Sequence, residues 1–257
     1  AADKMVEEGW DHPPTFELVT ALAFLYYAEK NPDYVVLEVG LGGRFDSTNI
    51  IKTSLAAVIT TIDFDHIDVL GDSLDKIAYQ KAGIIKKNGL TISYPQKEEA
   101  GRIIDQVARE ESSELYISPQ VEVREESKTG SIFDYDFQGE SFHQVKIGMI
   151  GHYQIYNAAL ALTSLLVLRK KGKVKISDED LYKGLAKARW AGRLEVLREE
   201  PTFLIDGAHN LQGIRNLAKS IKLFDYKRLI LGIGILADKD VDHMIEEIAD
   251  LADEIVA

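Results

Sequence analysis

Apolar and polar positions follow one another along the chain in blocks typical of an α/β protein. Between residues 16 and 29 apolar side chains recur with the helical period, and Pro32 and Asp33 then break the pattern. Continuous apolar runs at 34–39 and 55–62 predict two buried strands.

The later segments continue this alternation. Further helices are predicted at 74–86, 98–110, 155–170, 178–189, 211–224 and 241–254. Further strands are predicted at 90–94, 203–205 and 228–236, with short antiparallel strands between 114 and 148. Strands that alternate with crossover helices predict a mostly parallel sheet.

The pattern restarts after the linker-like segment Trp190-Ala191-Gly192-Arg193. We therefore expect one domain over 1–193 and a second α/β domain over 194–257. The chain opens at Ala1 without a methionine, and it stops at Ala257, where a strand follows the last helix. We expect the first domain to be truncated at its N-terminus and the second at its C-terminus.

Composition narrows the function classes. The 257 residues include 30 basic and 42 acidic side chains, and the net charge of −12 argues against a nucleic-acid surface. With no cysteine, the chain has neither disulfides nor thiolate metal sites. No apolar run is long enough for a membrane span, and no signal peptide opens the chain. We expect a cytoplasmic enzyme.

Glu38 lies inside the predicted buried strand at 34–39, directly before a glycine-rich loop. Burial of a lone carboxylate is costly unless it is paired or bound to a metal, and the end of a strand is where open α/β sheets bind ligands. Glu38 is therefore predicted to bind a metal or a substrate; the alternative is an incidental acid before a tight turn. The loop fails the dinucleotide fingerprint because Phe45 replaces its third small residue.

His66 follows two carboxylates, Asp63 and Asp65, at the end of the second predicted strand. This combination suits a hard metal such as Mg²⁺. A lone histidine at such a place is more often a hydrogen-bonded structural residue. Together with Glu38 on a neighbouring predicted strand, the metal site and the structural histidine are equal alternatives.

Lys81 shares an apolar helix face with Ile77, Ile84 and Ile85. Lysines on such faces usually extend their charge to solvent, and the sequence alone favours that interpretation. The alternative is that burial lowers the pKa of the amine. A neutral amine could combine with CO₂ to form a carbamate, an anion suited to Mg²⁺.

Two further segments have polar residues next to a predicted helix start. Asn157 could read a base edge, although a polar residue at a helix end is an ordinary feature. Asp206-Gly207-Ala208-His209-Asn210 places an acid, a glycine and a capping residue at a helix N-terminus, which suits an anion or a nucleotide.

Together these segments resemble the folylpolyglutamate synthase/dihydrofolate synthase family of the Mur ligase superfamily. The segments that carry the resemblance are 37–49, Asp65-His66 with Leu70-Gly71, 77–84, 151–159, 192–195 and 206–210. They occur in the family's order.

The resemblance implies a Mur-ligase-like central ATP-binding domain followed by a Rossmann-like C-terminal domain. It implies that ATP phosphorylates a carboxylate of folate or dihydropteroate, and that the amine of L-glutamate attacks the acyl phosphate. A monomer with no nucleic-acid or membrane partner is expected.

The resemblance also assigns roles to single residues. Glu38 and His66 match ligands of Mg²⁺, with two ions expected, and Lys81 matches a carbamylated lysine, which replaces the solvent-directed interpretation. The ATP-site residues are Asn157 at the adenine, Arg193 at the phosphates and Asp206. His209 is expected near the transferred phosphate, and Arg44 and Asp46 are expected to place the pterin or its carboxylate.

The chain departs from the family in one respect. It contains no G-x-x-x-x-G-K-[ST] phosphate-binding loop, and Lys171-Gly172-Lys173-Val174 lacks the leading glycine and the hydroxyl. We expect that loop before Ala1, and residues 1–257 alone to lack full activity.

Two alternatives stay open at this point. One is a related ligase that adds an amino acid to a cell-wall precursor, although the segments 37–49 and 81–84 favour folate. The other is a non-catalytic binding protein derived from the fold. The presence of the complete set of matching residues argues against the second alternative.

Overall fold

The computed structural model describes residues 1–236 and 239–257. It divides into two compact units. The first contains Ala1–Thr91 and Gln96–Leu115, and the second contains Ile92–Pro95 and Tyr116–Ala257. The predicted domain division at residue 193 stays a prediction.

The first part of the chain is mainly helical. Its helices are α1 Ala2–Glu7, α2 Thr15–Lys30, a 3₁₀ helix Ser47–Ile50, α3 Ile67–Leu70, α4 Leu74–Ala82 and α5 Glu98–Glu110. Its strands are β1 Ala57–Ile59, β2 Leu90–Ser93 and β3 Glu114–Ile117, in the sheet order β1-β2-β3.

The core of the first unit forms where α4 and α5 bury their apolar faces with β1. On α4, Ile77 and Ala78 are completely buried, and on α5 Ile104 is almost completely so. Ser73 caps α4 by accepting the N–H of Lys76. The predicted helix at 98–110 is confirmed, whereas the predicted helix at 74–86 ends at Ala82.

The prediction of a buried strand at 34–39 is wrong. These residues form no strand, Val36 is 98% exposed and Glu38 is also exposed. An apolar run becomes a strand only when a neighbour accepts and donates its backbone hydrogen bonds. Among residues 1–236 and 239–257 no strand pairs with this segment. The predicted strand at 55–62 is present only as β1.

The second unit contains an antiparallel sheet packed on two helices. The sheet comprises β4 Glu122–Ser127, β5 Gly130–Phe137 and β6 Glu140–Ile147, and the helices are α6 His152–Lys170 and α7 Asp178–Lys187. Phe133 and Tyr135 of β5 are fully buried with Ile155 of α6. The predicted antiparallel strands between 114 and 148 are confirmed for β4, β5 and β6, whereas Glu114–Ile117 joins the other sheet beside β2.

The last part of the chain returns to alternating strands and helices. The elements are β7 Glu195–Glu199, β8 Thr202–Ile205, α8 Leu211–Ile221, β9 Ile230–Gly232, α9 Val241–Glu246, a 3₁₀ helix Ala249–Leu251 and β10 Glu254–Val256. β7 and β8 are antiparallel, whereas β10 runs parallel to β9. The α/β class is confirmed, and in the described part of the chain no helix has the length and apolar character needed to cross a membrane.

Asp134 is a buried acid that holds the antiparallel sheet together. Its carboxylate accepts the N–H of Gln144 at 2.7 Å and two bonds from the guanidinium of Arg124 at 3.0 and 2.8 Å. These bonds, the one from Gln144 foremost, lower the pKa of Asp134.

Because the pKa of Asp134 is lower in the folded protein, the carboxylate stabilises the fold above about pH 4 and loses this effect as pH falls through the folded pKa. We predict that Asp134→Asn lowers the thermal midpoint at pH 7, and that its difference from the parent shrinks toward pH 3. Glu125→Gln, at an exposed position of β4, is the control. A difference that stays constant with pH would contradict this account.

Candidate active site

The glycine-rich loop at 40–46 is folded around the carboxylate of Asp46. One carboxylate oxygen accepts the N–H of Leu41 at 2.8 Å. The other accepts the N–H and the hydroxyl of Thr48 at 2.9 and 2.5 Å and so caps the 3₁₀ helix. Both oxygens of Asp46 are therefore engaged in shaping the loop.

This loop packs backbone against backbone on the end of α4. A Cβ on Gly83 would lie 2.4 Å from Cα of Arg44, and one on Gly43 would lie 3.0 Å from the carbonyl oxygen of Gln80. The N–H of Arg44 donates to the same Gln80 oxygen at 2.8 Å. The loop position is thus fixed relative to the helix that carries Lys81.

The side chain of Arg44 lies on an aromatic ring. Its guanidinium carbon is 3.9 Å from the ring centroid of Tyr79. Nε of Arg44 is buried and has no hydrogen-bond partner among the described residues. The stacking orients the guanidinium, whose planar set of donors suits a carboxylate or a phosphate.

Lys81 is partly buried near the C-terminal end of α4. Burial lowers the pKa of its amine, while the charge of Asp65 acts in the opposite direction. A larger fraction of Lys81 is consequently a neutral, nucleophilic amine than in an exposed lysine.

The structure places His66 near Asp65, with Nε2 of the imidazole 3.8 Å from the carboxylate. Asp65, His66 and Lys81 are thereby brought into one neighbourhood. Glu38 is exposed, and it makes no hydrogen bond or ion pair with the described residues. Within 1–236 and 239–257 no three His, Asp or Glu side chains form a metal-binding group. Binding of Mg²⁺ by Glu38, His66 and a carbamate on Lys81 stays a prediction.

In the second unit, Asn157 is an exposed residue of α6. Its amide nitrogen donates to the side chain of Gln154, one turn earlier, at 3.0 Å. This bond leaves the side-chain oxygen of Asn157 as an acceptor. The geometry is compatible with reading the amino group of a base.

Arg193 and Asp206 lie close together in the second unit. Asp206 accepts the N–H groups of Leu194 and Ala208 at 2.9 and 2.8 Å, so its carboxylate joins the linker to the end of β8. The guanidinium of Arg193 would lie 3.6 Å from a Cβ added to Gly207. Arg193 is exposed and its side chain forms no ion pair with the described residues, so its charge can serve a ligand.

Tyr153 also belongs to this group, although no sequence pattern predicted it. Burial raises the pKa of Tyr153, Asp206 adds to the rise, and Arg193 acts in the opposite direction. The charges of Arg193 and Asp206 are therefore both felt at the start of α6. The position of Tyr153 within the matched segment 151–159 was the only signal in the sequence.

His209 lies directly after Ala208 in the chain, and its side chain is exposed. Its Nδ1 lies 2.9 Å from the carbonyl oxygen of Gly207. Asn210 caps α8 by accepting the N–H of Gly213 at 2.8 Å, which confirms the capping role predicted for this residue.

The contact between loop and helix gives a stability prediction. Gly83→Ala adds a methyl group where Arg44 leaves no room, so we expect a loss of about 1–3 kcal/mol in the free energy of unfolding. Gly184→Ala, inside α7 with nothing within 4 Å, should gain about 0.5–1 kcal/mol. Urea unfolding of both variants compares them. Equal effects of the two substitutions would contradict the close packing.

The environment of Lys81 gives a second prediction. Because burial lowers the pKa of Lys81, its amine should be acetylated by acetic anhydride with a pH midpoint below that of Nα-acetyl-lysine amide added to the same sample. Peptide mass spectrometry across a pH series in CO₂-free buffer measures both midpoints. A midpoint for Lys81 equal to or above that of the free lysine amide would show that the amine is not desolvated.

The sequence matches two domains of known proteins and several curated relatives. Residues 11–165 match the Mur ligase middle domain, and residues 192–257 match the Mur ligase glutamate ligase domain. The dihydrofolate synthase/folylpolyglutamate synthase of Bacillus subtilis is 37% identical over 248 residues, which are 95% of this chain and 57% of that protein.

Solved structures of the same kind superpose on the chain. The folylpolyglutamate synthase of Thermotoga maritima gives a TM-score of 0.84 at 35% identity, over 99% of this chain and 58% of that one. An FPGS–AMPPCP–folate complex gives a TM-score of 0.87 at 29% identity, over 98% and 62%.

The chain thus spans somewhat more than half the length of these relatives. Two successive domain matches cover most of it. The relative at 37% identity is named dihydrofolate synthase/folylpolyglutamate synthase, and the one at 35% is named folylpolyglutamate synthase. The chain therefore belongs to the Mur ligase superfamily and, within it, to the folylpolyglutamate synthase/dihydrofolate synthase family.

Proposed function

We propose that the protein is an ATP-dependent ligase that adds L-glutamate to a carboxylate of folate or dihydropteroate. Family membership supports this reaction class. The structural observation that carries the proposal is the partly buried Lys81 beside Asp65, on a helix whose end is packed against the Arg44 loop.

The reaction proceeds in two steps. An oxygen of the acceptor carboxylate attacks the γ-phosphorus of ATP, which gives an acyl phosphate and ADP. The neutral amine of L-glutamate then attacks the acyl carbon, inorganic phosphate leaves with the former carboxylate oxygen, and the amine loses a proton. The protein's task is positioning and charge neutralisation rather than covalent participation.

Arg44 is the acceptor-binding residue in this proposal. Its guanidinium is oriented by the ring of Tyr79 and by a hydrogen bond from Nη2 to the Tyr79 carbonyl oxygen at 3.5 Å. The planar cation would bind a carboxylate or a pterin oxygen. Asp46 contributes indirectly, because its two oxygens already bind backbone and hydroxyl groups of the loop.

Asn157, Arg193, Asp206 and His209 belong to the proposed ATP site. The oxygen of Asn157 would accept from the adenine amino group, and Arg193 would meet phosphate charge that develops in the transition state. Asp206 holds the backbone of Leu194 and Ala208, so its role is to place the segment around Arg193. The exposed imidazole of His209 would contact the transferred phosphate.

Mg²⁺ and a carbamate on Lys81 are finer parts of the proposal. Two ions bound with the aid of Glu38 and His66 would neutralise phosphate charge, as in other phosphoryl transfers. The lowered pKa of Lys81 supports carbamate formation, in which the neutral amine adds to CO₂ and releases a proton. A monomeric state and a cytoplasmic location stay predictions.

The test follows glutamate-dependent ADP release by the full-length gene product with ATP and Mg²⁺. Dihydropteroate, tetrahydrofolate and a cell-wall precursor are offered as separate acceptors. We predict turnover with one or both pterin compounds and a loss of about 10²-fold or more in kcat for Lys81→Ala.

Lys87→Ala, which removes an exposed lysine of the same region, is the matched control and should retain parental turnover. Activity only with the cell-wall precursor would replace the proposed substrate. A Lys81→Ala enzyme as active as the parent would remove the role assigned to that amine.

A further inference from the structure

Asn49 ties the glycine-rich loop to the turn that follows α4. It lies in the 3₁₀ helix Ser47–Ile50 and is partly buried. Its amide nitrogen donates to the carbonyl oxygen of Arg44 at 3.2 Å and to that of Gly83 at 3.0 Å. The side chain of Asn49 thus connects residues 44 and 83, which are 39 positions apart in the sequence.

Lys86 binds the side-chain oxygen of the Asn49 amide. Its Nζ donates to the side-chain oxygen of Asn49 at 2.7 Å and lies 3.4 Å from the Asn49 carbonyl oxygen. Bonds from an ammonium group are stronger than those between neutral groups. Lys86 therefore fixes the amide in the orientation that directs its N–H groups at Arg44 and Gly83.

These bonds clamp Arg44 at both of its backbone polar groups. The N–H of Arg44 donates to Gln80 at 2.8 Å, and its carbonyl oxygen accepts from Asn49. The guanidinium then stacks on Tyr79. Nη2 also donates to the carbonyl oxygen of Tyr79 at 3.5 Å, and Nε is buried. The rest of the guanidinium is the part of Arg44 that a ligand can engage.

We propose that Asn49, oriented by Lys86, is a positioning residue for the acceptor, because it fixes the backbone from which Arg44 reaches the acceptor carboxylate or pterin. This inference rests on the proposed ligase function and on Arg44 as its acceptor-binding residue. It assigns to Asn49 no contact with the reacting atoms.

Hydrogen–deuterium exchange of the full-length protein tests the structural half without any substrate. Removal of two hydrogen bonds by Asn49→Ala should speed exchange in peptides covering 40–50 by about tenfold. Lys86→Met should have a similar effect, whereas Lys87→Met, at the exposed neighbour, should have none. Unchanged exchange in Asn49→Ala would overturn the clamp.

Steady-state kinetics tests the functional half. Asn49→Ala and Asn49→Asp, whose carboxylate cannot donate to the two carbonyl groups, should raise the KM for the acceptor by about tenfold. The KM for ATP and kcat should stay near the parental values. Lys86→Arg should restore much of the acceptor affinity lost in Lys86→Met, because it retains a charged donor.

The two proposals fail in different ways. Faster exchange with an unchanged acceptor KM would reduce Asn49 to a structural residue and overturn the positioning role. A fall in kcat and a rise in both KM values together would overturn it as well. A parent protein that turns over neither pterin acceptor would refute the proposed function, and this inference with it.

Discussion

The glycine-rich loop lies so close to the end of α4 that no Cβ atom fits between them, and this contact fixes the candidate residues of the first unit. Gly83 lies against Cα of Arg44, and Gly43 lies against the last carbonyl groups of the helix. This contact lets the N–H of Arg44 donate directly to the carbonyl oxygen of Gln80 in the helix. A closely packed interior is hardly compressible and transmits strain. The positions of Arg44 and Lys81 are therefore fixed relative to each other.

The charged candidate residues differ in whether their side chains hydrogen-bond to the backbone. Asp46 and Asp206 use their oxygens to hold backbone N–H groups, so they shape the segments around them. Arg44 stacks on Tyr79, and the exposed side chain of Arg193 forms no ion pair with the described residues. Lys81 is desolvated, which favours its neutral form. In our account, Asp46 and Asp206 hold the backbone in place, and Arg44 and Arg193 bind the ligands.

Sequence patterns predicted what depends on local periodicity and on caps. The helix at 98–110, the antiparallel strands before residue 148 and the cap at Asn210 are present in the structure. The sequence patterns failed where the structure of a segment depends on contacts with another segment of the chain. The run at 34–39 is apolar, yet no described strand pairs with it. The clamp between Asn49 and Lys86 and the proximity of Tyr153 to Asp206 depend on tertiary contacts that no single-sequence spacing encodes.

The central claim is that ATP activates the acceptor as an acyl phosphate before glutamate attacks. The most direct measurement uses an acceptor whose reacting carboxylate carries ¹⁸O, with mass spectrometry of the inorganic phosphate released by the full-length protein. The account predicts that one ¹⁸O atom enters the phosphate for each amide formed. Amide product accompanied by phosphate free of the label would contradict it.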